Sequence, residues 1–487
     1  MLKDLSSRIR SKKPEQLFLL VAVPFCIFFV FAIPALQGWD EAAHFTRAYQ
    51  VSELNLRADK IGNNRYGGNV PTNIITMHDA FMNDLILSAK SSNRRSVSLA
   101  PYEHYGNVIN PSAERLATNF TDSAIYSPVA YFPPAIGIAI ARFMHLPLLT
   151  YIYMGRIFTM IAWLFLMYWA IKRIPVGKWV LVALGLLPTT ITHAVSIAPD
   201  ALLIGTASLL VAIFVDKLIN RNRFTRNELL TVFILLLIIA LTKQTYAIFA
   251  GLFLLLPLSS FGTRKAYLYV NALLILPILL LSMFWLAQIR PILQVGHIYQ
   301  RPGLNVNPAK QVTYLEHHTL HYGAILGNSI LTNNSDPNFV QVTGFLTWKG
   351  ILLPYWAILI SYFALLISFL TIKDEIGGIV KSVRISWWSR YGPLLLLAAL
   401  VPAIYTSLYI GFNEVGSSSI AGVQGRYFLP LIPLLIPAFL SNRKRHWLRI
   451  NTDYVAPIFV GLSIVVLLVA SATVIATNYI PDLSIFT

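Results

Sequence analysis

One cysteine occurs in the 487 residues, Cys26, and it lies inside an apolar run. An intrachain disulfide and a metal centre built on thiolates are thereby excluded. Charge is scarce too: Asp, Glu, Lys and Arg make up 12% of the chain, against 56% hydrophobic residues. Soluble domains carry about 25% charged residues, so the bilayer is the solvent for most of this chain. Acids are the scarcer sign, 21 against 38 Lys and Arg, which leaves a net charge of +17. That excess invites a nucleic-acid partner, but the cations sit in short runs between apolar spans instead of along one face. Basic loops on the cytoplasmic side explain them, and no nucleic acid is expected. Phosphate-cradling glycine loops, dinucleotide fingerprints and internal repeats are also missing.

Long apolar runs are what the chain has in quantity. A span takes about 20 apolar residues. Runs fall at 17–36, 150–172, 177–193, 199–216, 228–242, 245–261, 266–288, 350–372, 391–411, 425–440 and 454–477. The first follows the basic residues Arg8, Arg10, Lys12 and Lys13. Such a start fits a signal peptide or an uncleaved first helix, and its length, with further spans behind it, favours the helix. A shorter stretch, 128–146, opens with Pro128, Pro133 and Pro134 and ends with Arg142 and His145. If it crossed, the clusters Lys172/Arg173/Lys178, Lys217/Arg221/Arg223/Arg226 and Arg264/Lys265 would lie outside. If it rests in the interface, these and the later clusters Lys381/Arg384/Arg390 and Arg443/Lys444/Arg445/Arg449 all lie inside.

The expected fold is an all-α polytopic membrane protein of about eleven transmembrane helices with a partly folded first outer loop. Its parts are a cytoplasmic basic N-terminus (1–16), a first transmembrane helix (17–36), and an outer loop (37–149) with juxtamembrane helix 128–146. A six-helix membrane core (150–288), a second outer loop (289–349) and a C-terminal four-helix membrane region (350–487) follow. The expected location is a cell membrane, crossed several times, with the N-terminus inside and the C-terminus outside.

The sharpest local feature follows the first run: Trp39-Asp40-Glu41-Ala42-Ala43-His44-Phe45-Thr46-Arg47-Ala48-Tyr49. On a helix, Asp40, His44 and Arg47 share one face at i, i+4 and i+7. There a carboxylate serves as general base on a hydroxyl while the cations hold a phosphate. The plainer alternative makes Asp40 an N-cap and Glu41 a complement to the helix dipole. Asp200 opens a span, again where an acid suits the dipole. Lys243 interrupts two apolar runs and either snorkels to headgroups or binds a lipid phosphate. Arg156, inside a span, needs a partner or a water-filled cavity. Arg426 and Tyr427 stand at the outer end of the tenth run, where the positive-inside bias does not place a cation; anion binding and interfacial anchoring both account for it. Glu316, His317, His318 and His321 offer two histidines at i, i+4, without a third placed ligand for a metal. No cofactor is indicated.

The segment Asp40-Glu41-Ala-Ala-His44-Phe45-x-Arg47-Ala-Tyr49 resembles the hallmark of a bacterial family of predicted membrane proteins known as domain of unknown function 2142. Tyr126-Ser-Pro128-Val-Ala-Tyr131-Phe-Pro133, Gly155-Arg156, Pro199-Asp200-Ala201, Leu241-Thr-Lys243 and Gln424-Gly-Arg426-Tyr427-Phe-Leu-Pro430 fit it in the same order. Trp39 stands where the family often has proline. The family is similar to the GT-C superfamily, membrane glycosyltransferases that use lipid-linked sugars. That resemblance implies an acidic pair after the first helix with the leading acid, Asp40, as base. It also implies six helices between two large outer loops.

The expectation is therefore an inverting transfer from a polyprenyl-phosphate-linked sugar to a cell-envelope glycan or lipid-linked acceptor. Arg47, Lys243 and Arg426 would stabilise the departing phosphate. Nucleotide sugars, being cytoplasmic, do not reach an outward site. A transporter or flippase of lipid-linked sugars is the rival reading, and it calls for repeats, broken helices and midplane charges. A non-catalytic partner in polysaccharide assembly is the third.

Overall fold

The computed structural model describes residues 12–90, 96–295, 306–332, 338–348, 350–379, 385–440 and 452–480. Arg8, Arg10, Lys381, Arg384, the cluster at 443–449 and the C-terminal residues, with the orientation expected of them, lie outside that range. Seven helices among the described residues are long and apolar enough to cross a membrane: Pro14–Ala32, Leu148–Arg173, Pro199–Asn220, Arg264–Leu293, Tyr355–Ile372, Trp387–Phe412 and Pro457–Tyr479. The chain is thus a helical membrane protein with several spans.

The remaining apolar runs take other forms, and proline decides most of them. The first helix stops at Ala32, short of 36, because Pro34 holds Ile33 extended at ψ 120. The run 177–193 is not one helix. It breaks into Lys178–Gly185 and Pro188–Ala194, with Leu187, the residue before Pro188, extended. Residues Gln244–Leu255 and Gly425–Phe439 wind as 3₁₀ helices, the second carrying Pro430, Pro433 and Pro437. At about 2.0 Å per residue, 15 residues of 3₁₀ helix reach about 30 Å, the thickness of the hydrocarbon core.

The helix Pro199–Asn220 sits at the centre, its apolar window wholly buried by its neighbours. It packs against Leu148–Arg173, Arg226–Thr242 and the 3₁₀ helix Gly425–Phe439. Its N-terminal end, and with it Asp200, is thereby delivered to one end of the bundle. The helix Leu148–Arg173 begins at that end, where Leu148 N–H donates to Val108 O at 2.9 Å. It ends at Arg173, which meets Asp216 at 2.7 Å, while Lys217 donates to Glu228 at 2.7 Å. The basic residues therefore gather at the far end of the bundle.

The near end is capped by the segment expected to fold only in part, which adds a small sheet to the otherwise helical chain. Three antiparallel strands, β1 (Asp59–Gly62), β2 (Arg65–Pro71) and β3 (Arg115–Asn119), form a sheet in the order β1-β2-β3. Gly67 faces Asp59 on one side and Asn119 on the other. Helix Thr72–Lys90 follows β2, and its Ile74, Met77 and Phe81 join Phe45, Val70, Tyr131 and Ile138 in a second hydrophobic core. Helix Phe132–Phe143 is part of this cap. Its 12 residues measure about 18 Å, too short to span. Arg142 near its end donates to Ser52 O at 2.6 Å.

Candidate functional site

The turn between the first span and the next helix sets the site. Leu36 (φ 60) and Asp40 (φ 48) both occupy the left-handed region, rare for a leucine and tolerated by an aspartate. Gly38 between them has no room for a side chain: a Cβ there would lie 2.5 Å from Ser196 Oγ. The helix then runs Glu41–Ser52. Asp40 occupies the N-cap position, yet its side chain makes no capping hydrogen bond. Its left-handed backbone swings the carboxylate away from the helix and onto Arg426, 386 residues later.

Four charges form a chain there. Lys243 Nζ donates to Asp200 Oδ1 at 2.6 Å, Asp200 Oδ2 lies 3.6 Å from Arg426 Nη1, and Arg426 Nη2 donates to Asp40 Oδ2. Aromatic rings hold the cations. The Arg426 guanidinium stands 5.2 Å from the Trp39 ring and 5.3 Å from the Tyr427 ring, and Lys243 Nζ is 4.6 Å from the latter. Arg426 is 4% exposed, and among the described residues its Nε and Nη1 have no hydrogen-bond acceptor, Nη1 standing 3.6 Å from Asp200 Oδ2. Buried donors are almost always satisfied, so a guanidinium with two left over is an anion site in waiting.

Asp40 opens onto a cavity of about 570 Å³, a size typical of small-molecule sites. Arg426, His44 and Tyr126 line its polar side; Leu36, Trp348 and Phe412 line the apolar one. Burial raises the Asp40 carboxyl, but Arg426 and then His44 more than offset it, so its pKa falls below the usual carboxylate range. Burial pushes the His44 imidazole down to about 4 against the pull of Asp40, so it is neutral at pH 7. Its Nδ1 is 2.6 Å from Tyr131 Oη.

The other expected site residues separate. Glu41 is not a second free acid: Arg156 Nε donates to its Oε1 at 2.7 Å, and Nη2 to its Oε2 at 2.5 Å. Arg156 also donates to Val30 O, Ile33 O and Pro34 O, so all its N–H groups are used and the pair clamps the turn that carries Asp40. Arg47 leaves the expected face. It donates to Gln50 and to Leu56 O, inside the cap, while Asp40 and His44 both line the cavity. Lys243 is spent on Asp200 instead of reaching the cavity wall. The histidine pair is also undone, since the helix Pro308–His317 ends before His321 and a second begins at Thr319. Among the described residues no group of three metal-ligating side chains occurs.

Sequence reasoning missed His193. It is fully buried, stacks on Trp39 at 5.1 Å, and neither ring nitrogen has a hydrogen-bond partner among the described residues. A histidine in an apolar run carries no signal by itself.

A bundle of apolar helices, a folded cap and a charged cavity between them define a polytopic membrane protein with a polar site at one end. The description "Predicted membrane protein (DUF2142)" matches residues 24–435, and the chain belongs to that family. No curated protein and no solved structure matches it.

Proposed function

We propose that this protein is an inverting membrane glycosyltransferase of GT-C type. It would transfer a sugar from a polyprenyl-phosphate donor to a cell-envelope glycan or lipid-linked acceptor on the outer face of the bacterial cytoplasmic membrane. The observation that carries the reading is the pairing of a cavity-facing Asp40 with a buried Arg426 that has two unused donors. A donor phosphate takes Arg426 in a bidentate fork and so releases Asp40. The freed carboxylate accepts the proton of an acceptor hydroxyl as that oxygen bonds to the anomeric carbon. The bond from that carbon to the phosphate oxygen breaks in the same step, and polyprenyl phosphate leaves as an anion. Arg426, backed by Asp200 and Lys243, balances the charge that develops. The apolar wall of Leu36, Trp348 and Phe412 gives a sugar ring and the first lipid units a surface. Against a transporter speaks Arg156, the charge within a span, whose hydrogen bonds are all internal.

Eleven spans with the N-terminus inside belong to this proposal. They place the sheet outside and the Arg173 end inside. An impermeant maleimide should label Asn107→Cys in intact cells, and Lys172→Cys only after permeabilisation; both positions are exposed and the native Cys26 is buried. The reverse pattern would overturn the orientation.

Donor recognition is tested at Arg426. Arg426→Lys keeps the charge and loses the fork, so donor affinity should fall, and Arg426→Ala should cost about 2–3 kcal/mol, the scale of a charge-assisted hydrogen bond. Acceptor dependence should change less. Equal apparent donor affinity in wild type and Arg426→Lys would remove Arg426 from the phosphate site and reduce it to an interfacial anchor.

A further inference from the structure

We infer that a second groove in the cap is the acceptor site and that it takes an uncharged saccharide, not a phosphate- or uronate-bearing polymer. The inference rests on the glycosyltransferase reading, whose acceptor was left as any envelope glycan. The groove has a volume of about 470 Å³ and lies between strand β3 and two helices. On helix Thr72–Lys90 it is lined by Ile75, His78, Asp79 and Met82, which fall at i, i+3, i+4 and i+7 and so share one face. Ala42, Ala43, Met82, Asp122 and Ser123 line both this groove and the Asp40 cavity, so the two adjoin. A chain lying in the groove therefore lies beside the cavity that holds the proposed base.

The lining sets the ligand class. Thr46 and Asn119 bring a hydroxyl and an amide to the groove, while the Thr118 and Ser123 hydroxyls donate to Leu116 O and Phe120 O and so present lone pairs to the hydroxyls of a sugar. Ile75 and Met82 add apolar surface for the C–H face of a ring. No Lys or Arg lines the groove among the described residues; its charges are Asp79, with His78 beside it at 3.0 Å, and Asp122. An anionic chain would lose hydration there, meet the Asp79 carboxylate and gain no Lys or Arg in return. The cation needed for phosphate is instead Arg426, which lines the neighbouring cavity and not the groove. The two ligands are thus sorted by charge between adjoining spaces.

The test uses full-length protein in nanodiscs on an array of immobilised neutral and uronate- or phosphate-bearing oligosaccharides, with polyprenyl phosphate binding measured separately. Wild type should retain neutral members and bind anionic ones at least about tenfold less, a difference of about 1.4 kcal/mol. Ala117→Trp, which puts bulk on the strand wall, should lose neutral glycans yet still bind polyprenyl phosphate, showing that it is folded. Asp79→Arg, at an exposed position, should admit anionic members. Equal retention of both classes, unchanged glycan binding in Ala117→Trp, or no glycan retained by protein that binds polyprenyl phosphate would each overturn the groove assignment. Glycan binding without polyprenyl phosphate binding would instead sink the donor reading and leave the groove standing.

Discussion

Asp40→Asn should reduce glycan product by about 100-fold or more, the usual scale for removing a general base, with expression and detergent behaviour unchanged. The substitution is discriminating because of where Asp40 sits. Its left-handed backbone (φ 48) suits asparagine nearly as well as aspartate, so the turn survives. No capping hydrogen bond is lost, since the carboxylate makes none. The amide still reaches Arg426 but accepts no proton at neutral pH. Because Arg426 holds the free-enzyme carboxyl low, kcat/KM of wild type should stay flat as pH falls to the ordinary aspartate range near about 4. The general-base limb then appears only below it, where Asp40 takes up its proton. Near-normal turnover by a folded Asp40→Asn protein would remove Asp40 from catalysis and leave it a partner of Arg426.

Arg156→Ala should be the most destabilising single change in the molecule, by about 3–5 kcal/mol, because it strands a buried carboxylate. Both side chains of the Arg156–Glu41 pair are 0% exposed. Glu41 would keep only the N–H groups of Gly38 at 3.2 Å and Ile197 at 3.3 Å. Three carbonyls at the end of the first span would lose their donor as well. Glu41→Gln should be milder, since the amide oxygen still accepts. The contrast is Arg115→Ala at the half-exposed pair with Glu53, where loss should stay within about 1 kcal/mol. Thermal unfolding in detergent ranks the three, and an Arg156→Ala protein as stable as wild type would contradict the clamp.

The membrane class was legible in the sequence because hydrophobicity is a local property: each apolar run reports its solvent without reference to any other. The acidic segment after the first span was legible for a related reason. A charged, aromatic cluster beside an apolar run has no packing use that composition suggests. The sheet was not legible. Its strands are four to seven residues long; β1 and β3 are largely exposed, and the Arg-Tyr-Gly-Gly-Asn-Val-Pro of β2 lacks strict alternation. Of the helical face drawn through Asp40, His44 and Arg47, the first two do meet at one cavity, whereas Arg47 turns to Gln50 and Leu56 O, partners that periodicity cannot register.

The sequence by itself determined that Asp40, Glu41, Arg156, Asp200, Lys243 and Arg426 are charges at or near spans, and that Arg156, inside one, needed a partner or a water-filled cavity. Only the tertiary structure decided the partners. Glu41 went to Arg156 across 115 residues, Lys243 to Asp200 across 43, and Asp40 to Arg426 across 386. Two adjacent acids thereby acquired opposite roles, one locked in a buried clamp and one facing a cavity. Local sequence cannot make that distinction, because a buried charge is defined by whatever the fold brings within hydrogen-bonding distance.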